Sequence, residues 1–284
     1  MRTLAAAAVF VFCNAAAQAQ NIAPSSMEAM SAQASSRGGE AAVGIQKQGP
    51  QLVPGLLRLA RNEAAAECPA ELGAATQLML VSPREMSARA GSLVRFERAG
   101  ANAPWKRAGQ MPVVLGWNGI RWAWSGSQAQ TGRVPVKREG DGATPAGIFP
   151  VGAPFGFKAA SLPGYVRLTA GRQFCVSEPE APSYNTIVAR RPAGLAGEDM
   201  GAAGLYRRGL FIEYPTNGPA RGGSCVFIHV WRSPSARTDG CVATAEEGVA
   251  ALQSWVRPKE ALITILPPKE AKQLEMCLGV ERGG

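Results

Sequence analysis

Glycine and proline punctuate this chain at intervals too short for long helices. There are 33 Gly and 21 Pro among 284 residues. The apolar runs between them are short and often end on turn-forming residues. Runs of that length bounded by Gly and Pro read as strands joined by tight turns. The pattern predicts a mostly β (α+β) domain of many strands with short turns and few short helices. Strands are expected at Gln77–Ser82, Ser92–Ala99, Tyr165–Thr169, Thr186–Ala189, Leu210–Tyr214, Ser224–Val230 and Ala261–Leu266. Pro112–Trp117 and Gly119–Ser125 read as a hairpin around Asn118-Gly119, a pair that favours a tight reversal. One helix is signalled by Thr244-Ala245-Glu246-Glu247, which has the form of a capping box, followed by Val249, Leu252 and Val256 on one face and a stop at Pro258. A second, short helix is expected over Lys269–Cys277.

The N-terminus points to export. Met1-Arg2 supplies positive charge, Leu4 to Cys13 is an apolar run too short to span a bilayer, and Ala17-Gln18-Ala19 fits a small-x-small cleavage site. Residues 1–19 are expected to be a signal peptide, so the mature protein is expected in the periplasm without membrane insertion. Residues 20–62 are rich in Ala, Ser, Gln and Gly and read as a low-complexity linker, with a short helix expected over Leu52–Ala66. A folded domain is expected over 63–284.

The chain carries a formal charge of +9. Its basic residues are scattered, and no helix-turn-helix, zinc-finger or RNA-binding pattern occurs. Nucleic acid is therefore discounted as a partner. With one histidine and no CxxC pair, the ligand stock for a zinc site is poor, and no metal is expected. Loss of Cys13 with the leader leaves Cys68, Cys175, Cys225, Cys241 and Cys277. An odd number in an exported protein suggests one free thiol. Cys68 opens the expected folded region and Cys277 closes it, so these two are expected to pair. Cys225, in an apolar run, reads as a buried core thiol, and Cys175 fits either state.

The chemistry concentrates in residues 227–241. The only histidine, His229, lies in an apolar run; a loop of small, polar and proline residues follows and ends on Gly240-Cys241. A thiolate is the reactive form of cysteine, and a nearby imidazole is the usual device for making one. A strand and a returning loop can bring the two together although they stand twelve positions apart. The helix expected after Cys241 would present its positive end to a thiolate if it points that way.

His, a short loop and then Thr-x-Gly-Cys-Val resembles the catalytic signature of the L,D-transpeptidase catalytic-domain (YkuD-type) family. The segment Lys137-Arg138-Glu139-Gly140-Asp141-Gly142-Ala143-Thr144-Pro145-Ala146-Gly147 resembles a second stretch of that family, and Tyr184-Asn185 a weaker third. The family more often has His or Ala where this chain has Asp239. The resemblance implies that residues 63–284 form a β-sandwich or barrel catalytic domain of an exported enzyme acting on peptidoglycan stem peptides, with Cys241 as acyl-accepting nucleophile and His229 as base. It also implies a role for Thr238, by hydroxyl or carbonyl, in orienting the second ring nitrogen. Backbone N–H groups of Gly240 and Cys241 are the natural oxyanion donors. The 137–147 segment is expected to be mainly scaffold, with Lys137 and Asp141 as candidate substrate-side polar groups; Arg232, Trp231 and Tyr184 are candidates for substrate contact, Tyr184 fitting a core tyrosine with a satisfied hydroxyl as well. No cofactor is implied, and a monomer is expected. Two other readings stay open: an L,D-carboxypeptidase or hydrolase using the same site with water, and a non-catalytic wall-binding protein in which Cys241 is bonded to Cys225 or Cys175.

Overall fold

The computed structural model describes residues 68–123 and 135–280. The expected leader, the linker, the helix over Leu52–Ala66 and the end of the strand at Ser125 lie outside the described residues. Described residues form thirteen strands, two α-helices and two short 3-10 turns, the mostly β class that the turn punctuation implies.

The strands are β1 (Gln77–Pro83), β2 (Ala90–Glu97), β3 (Lys106–Val114), β4 (Ile120–Trp122), β5 (Thr144–Gly156), β6 (Val166–Arg167), β7 (Phe174–Val176), β8 (Ile187–Val188), β9 (Gly197–Asp199), β10 (Arg208–Ile212), β11 (Phe227–Val230), β12 (Val242–Thr244) and β13 (Ala261–Ile265). The helices are α1 (Glu246–Trp255) and α2 (Pro268–Cys277). The main sheet runs β10-β11-β12-β3-β2-β1-β13-β5 and returns to β10, so it closes as a barrel. The long strand β5 makes the closure. Its first part, Gly147–Pro150, pairs with β13, and Val151–Gly156 pairs with β10 across a register irregularity between Leu210 and Ile212. Closure removes the open edges that a flat sheet would leave unpaired. A separate small sheet has the order β8-β7-β9.

Leu78, Met79, Leu93, Phe96, Phe149, Ile228, Leu252, Ile263 and Ile265 belong to one continuous core. Burying side chains of this size stabilises by about 1.5–3 kcal/mol each, more than a typical net hydrogen bond at about 1 kcal/mol, so the barrel register follows the apolar faces. Helix α2 packs on β1, and α1 on β10 and β11. The expected bridge Cys68–Cys277 is present and ties the start of the domain to the end of α2.

Four expectations are corrected. The Asn118-Gly119 turn forms, with the Gly119 N–H donating to Gly116, but it makes no hairpin: β4 pairs parallel with β5 instead of folding back on β3. Thr244 is no helix cap. It is a strand residue of β12, its hydroxyl donates to the Pro112 carbonyl, and α1 starts after it without a side-chain cap. The strand expected from Ser224 begins only at Phe227, because Cys225 takes a left-handed backbone conformation, φ 55°. Cys225 is also not a free core thiol: it pairs with Cys175.

Candidate active site

Parallel strands β11 and β12 set the geometry. Ile228 faces Val242 and His229 faces Ala243. Carried back one position, this register places Cys241 beside Phe227, and the Phe227 N–H donates to Cys241 Sγ at 3.4 Å. Side chains alternate along a strand, so residues two apart share a face. Cys241 and His229 therefore lie on one face of adjacent strands, and both line a cleft of about 680 Å³.

Cys241 is free and buried. Its thiol donates to the Cys225 carbonyl at 3.4 Å. Burial first, then the charge of Glu198 and, less, that of Asp239, push this thiol up to about 12, opposed by the Phe227 N–H and, least, by the Tyr206 hydroxyl. Burial also brings His229 down to about 4, partly offset by its bond to Val230 and aided by the charge of Arg232. The resting pair is thus a neutral thiol and a neutral imidazole. His229 Nδ1 lies 2.9 Å from the Val230 carbonyl. A carbonyl can only accept, so the proton of the neutral ring sits on Nδ1, and Nε2 is the basic nitrogen.

Thr238 does not orient the ring. Its hydroxyl donates to the Cys241 carbonyl at 2.6 Å and receives the Gly240 N–H at 3.2 Å, while Val230 takes the second ring nitrogen. Thr238 instead fixes the turn that presents the thiol. Its own backbone is held by the segment that follows β3, through Thr238 N–H to Leu115 and Trp117 N–H to Thr238. Gly240 has φ 143°, and a Cβ there would lie 3.0 Å from the Ala143 carbonyl oxygen. Because the Gly240 N–H is engaged by Thr238, the Cys241 N–H, which has no acceptor among the described residues, is the available backbone donor beside the thiol.

The segment 137–147 braces this turn from below. Asp141 accepts from Lys137 Nζ at 2.7 Å, from the Arg138 N–H at 2.7 Å and from the Ala143 N–H at 2.9 Å. Thr144 Oγ1 receives the Gly116 N–H at 2.9 Å and donates to the Cys241 carbonyl. Lys137 is buried and ion-paired although it lines the cleft.

Trp231 and Arg232 line the cleft, as does Arg237, and neither arginine has an ion-pair partner among the described residues. Tyr184 is not a cleft wall. Its buried hydroxyl donates to Glu139, itself a cleft residue, and receives the Gly223 N–H at 3.1 Å. Two site residues carry no sequence signal. Tyr206, in the 3-10 turn Gly204–Arg207, stacks edge-on against His229 with centroids 5.3 Å apart and against Phe227 at 5.6 Å. Its hydroxyl donates to Glu198 Oε1 at 2.6 Å. The helix α1 does not begin at the thiol: the three residues of β12 intervene, and its first-turn Glu246 pairs with Arg207 and Arg208.

No family model matches the sequence, and no curated protein matches it. Among solved structures, the chain is similar to Bd1075 of Bdellovibrio bacteriovorus, with 16% identity, TM-score 0.34, and coverage of 76% of this chain and 58% of that one. It is also similar to the helical cell shape determining protein Pgp2 of Campylobacter jejuni, at 12% identity and TM-score 0.33 over 71% and 53% of the two chains. A mutant of an Enterococcus faecium L,D-transpeptidase matches at 12% identity and TM-score 0.30 over 67% and 50%. The chain spans little more than half the length of the structures it matches first. Likeness at this level leaves the site to be read from its own geometry. No helix of the described residues is long and apolar enough to cross a membrane.

Proposed function

We propose that the chain is an exported cysteine acyltransferase, an L,D-transpeptidase acting on peptidoglycan stem peptides in the periplasm. The observation that carries this reading is the pairing of a free, buried Cys241 with His229 on one face of β11 and β12, in one cleft, with Nε2 left as the basic nitrogen. His229 takes the thiol proton as Cys241 attacks the carbonyl of the amide between the L-centre of a diamino acid and a terminal D-alanine. The Cys241 N–H faces the charge that develops on the carbonyl oxygen. His229 then protonates the leaving amine, and the thioester remains on Cys241. The acceptor amine attacks that thioester, with His229 receiving its proton and passing it to Sγ. Arg232 and Arg237, cationic and unpaired at the cleft, suit a carboxylate of the stem peptide.

The resting protonation states fit a general-base mechanism, in which the proton leaves Sγ only as the C–S bond forms. A ready-made ion pair would need a thiol well below, and a histidine above, the states found here. The test is to incubate residues 20–284 with a tetrapeptide-bearing muropeptide and a D-amino acid and to read product masses. Loss of D-alanine with gain of the acceptor, absent in Cys241→Ser, is the expected result. Gain of water alone makes the protein a carboxypeptidase, and unchanged turnover in Cys241→Ser removes the thiol from the mechanism.

A further inference from the structure

Glu198 is a charge without a counter-charge. It stands on β9 of the small sheet and lines the cleft that holds Cys241 and His229. Oε1 accepts from the neutral Tyr206 hydroxyl at 2.6 Å, while Oε2 has no donor among the described residues. No Lys, Arg or His of the described residues forms an ion pair with it. Glu198 is half-buried, and a carboxylate partly withdrawn from water gains from a cation at hand. Tyr206 is buried and packed edge-on against His229, so the same side chain that seats the catalytic base also fixes this carboxylate.

The charges around the cleft differ by segment. Arg232 and Arg237 come from the loop between β11 and β12, and Lys137 is already neutralised by Asp141. An incoming cation is repelled by the arginines and has three acidic groups to approach: Asp239, exposed on that same loop, Glu139, which accepts from Tyr184, and the half-buried Glu198, the one whose charge bears most on Cys241. Burial, with a smaller push from Asp239, raises the Glu198 carboxyl above its ordinary range, and Glu198 is the largest charge opposing ionisation of Cys241. A cation seated on Glu198 would relieve both.

We propose that Glu198 is a specificity-determining residue: its carboxylate receives the ammonium group of the acceptor amine and stations it beside the Cys241 thioester. This rests on the acyl-transfer reading and adds to it a reason for transfer over hydrolysis. Water carries no charge and is not concentrated by the field of Glu198, whereas an ammonium ion is. The proton balance closes without further reagents. The ammonium releases one proton to solvent and becomes an amine. The amine nitrogen forms the C–N bond as the thioester C–S bond breaks, and its second proton passes through His229 to Sγ.

The test uses Glu198→Gln, which preserves shape and the acceptor for the Tyr206 hydroxyl but removes the charge. Wild-type protein and the variant are acylated with the tetrapeptide muropeptide and offered a D-amino acid, and transfer and hydrolysis products are counted by mass. The expected result is a fall of about ten-fold or more in the ratio of transfer to hydrolysis, with D-alanine release in acyl-enzyme formation no slower than in wild type, because loss of the charge eases ionisation of Cys241. Hydroxylamine, an uncharged nucleophile at neutral pH, is expected to capture the thioester equally well in both proteins. A merely structural role for Glu198 would slow acylation and both captures together, and that outcome overturns the proposal, as does an unchanged partition. If Glu198→Gln is unfolded by circular dichroism, Glu198→Asp carries the test. It keeps the charge one methylene further back, and a smaller fall in the ratio with unchanged acylation is expected. Wild-type protein that forms no thioester at all overturns the acyl-transfer reading and this proposal together, whereas an acyl-enzyme that ignores the Glu198 charge overturns this proposal alone.

Discussion

Acidification should destabilise this protein through His229 by an amount that can be calculated and isolated. The ring is buried and its pKa falls from 6.5 to about 4 on folding. Between those values the unfolded chain binds a proton at His229 and the folded chain does not. Stability therefore rises with pH across this window, is complete above the unfolded value, and is lost as pH falls toward the folded one. The fall from 6.5 to about 4, at about 1.36 kcal/mol for each tenfold change in proton affinity, gives ~3 kcal/mol. That is a large share of the roughly 5–15 kcal/mol typical of a whole domain. Carboxylates also titrate near the lower end, so the assay is a difference. Urea unfolding of wild-type protein and of His229→Gln is followed by tryptophan fluorescence from about pH 7 to about pH 4, and the two stabilities are subtracted at each pH. The variant is expected to be less stable at neutral pH, where it loses the bond to Val230, and to gain on the wild type by ~3 kcal/mol as the pH drops. Parallel curves through the whole window would refute the claim that this imidazole is held neutral by burial.

The thiol gives the mirror image on the alkaline side. Folding raises Cys241 from 9.0 to about 12, so its contribution is present below the unfolded value and lost as pH rises through the folded one. Iodoacetamide should alkylate the substrate-free protein slowly at neutral pH and faster up to strongly alkaline pH; a rate that has levelled off by neutral pH would mean a preformed thiolate. Gly240→Ala should weaken the fold by about 1–3 kcal/mol, because the left-handed φ is unfavourable for an L side chain and the new methyl meets the Ala143 carbonyl. It should also slow acylation, since the same turn carries the thiol; a variant with wild-type melting temperature and turnover would contradict the role given to that backbone.

Legibility tracked how local each determinant was. The strands β1, β2, β10 and β13 lie inside short apolar runs flanked by turn residues, and the sequence pattern locates them well. Other elements answer to distant partners. Gly119 ends a real turn, yet β4 turns away from β3 because β5 offers Ile120 and Trp122 a parallel edge over Thr144–Ala146. Thr244 precedes two glutamates as a cap would, but the Pro112 carbonyl on β3 claims its hydroxyl, and the strand wins over the cap. Neither the Pro112 carbonyl nor the β5 edge is near these residues in sequence, so no local rule could favour the outcome. Cys225 likewise sits in an apolar run, and only the fold brings Cys175 beside it.

The site divides in the same way. Cys241, His229, Thr238 and Gly240 fall within thirteen residues, and their spacing is readable because one loop joins two neighbouring strands. What that loop cannot specify is the register. A slip of one residue between β11 and β12 would send Cys241 and His229 to opposite faces, since side chains alternate. The register is held from outside the motif: Thr144 and Thr238 both grip the Cys241 carbonyl, Leu115 and Trp117 hold Thr238, and Asp141 shapes the segment that carries Thr144. The stretch from Lys137 to Gly147 thus acts on the chemistry without touching the reacting atoms. Tyr206 and Glu198 complete the wall from a turn and a strand with no pattern of their own, which is why a single tyrosine and a single glutamate gave no signal until the barrel placed them against His229 and the cleft.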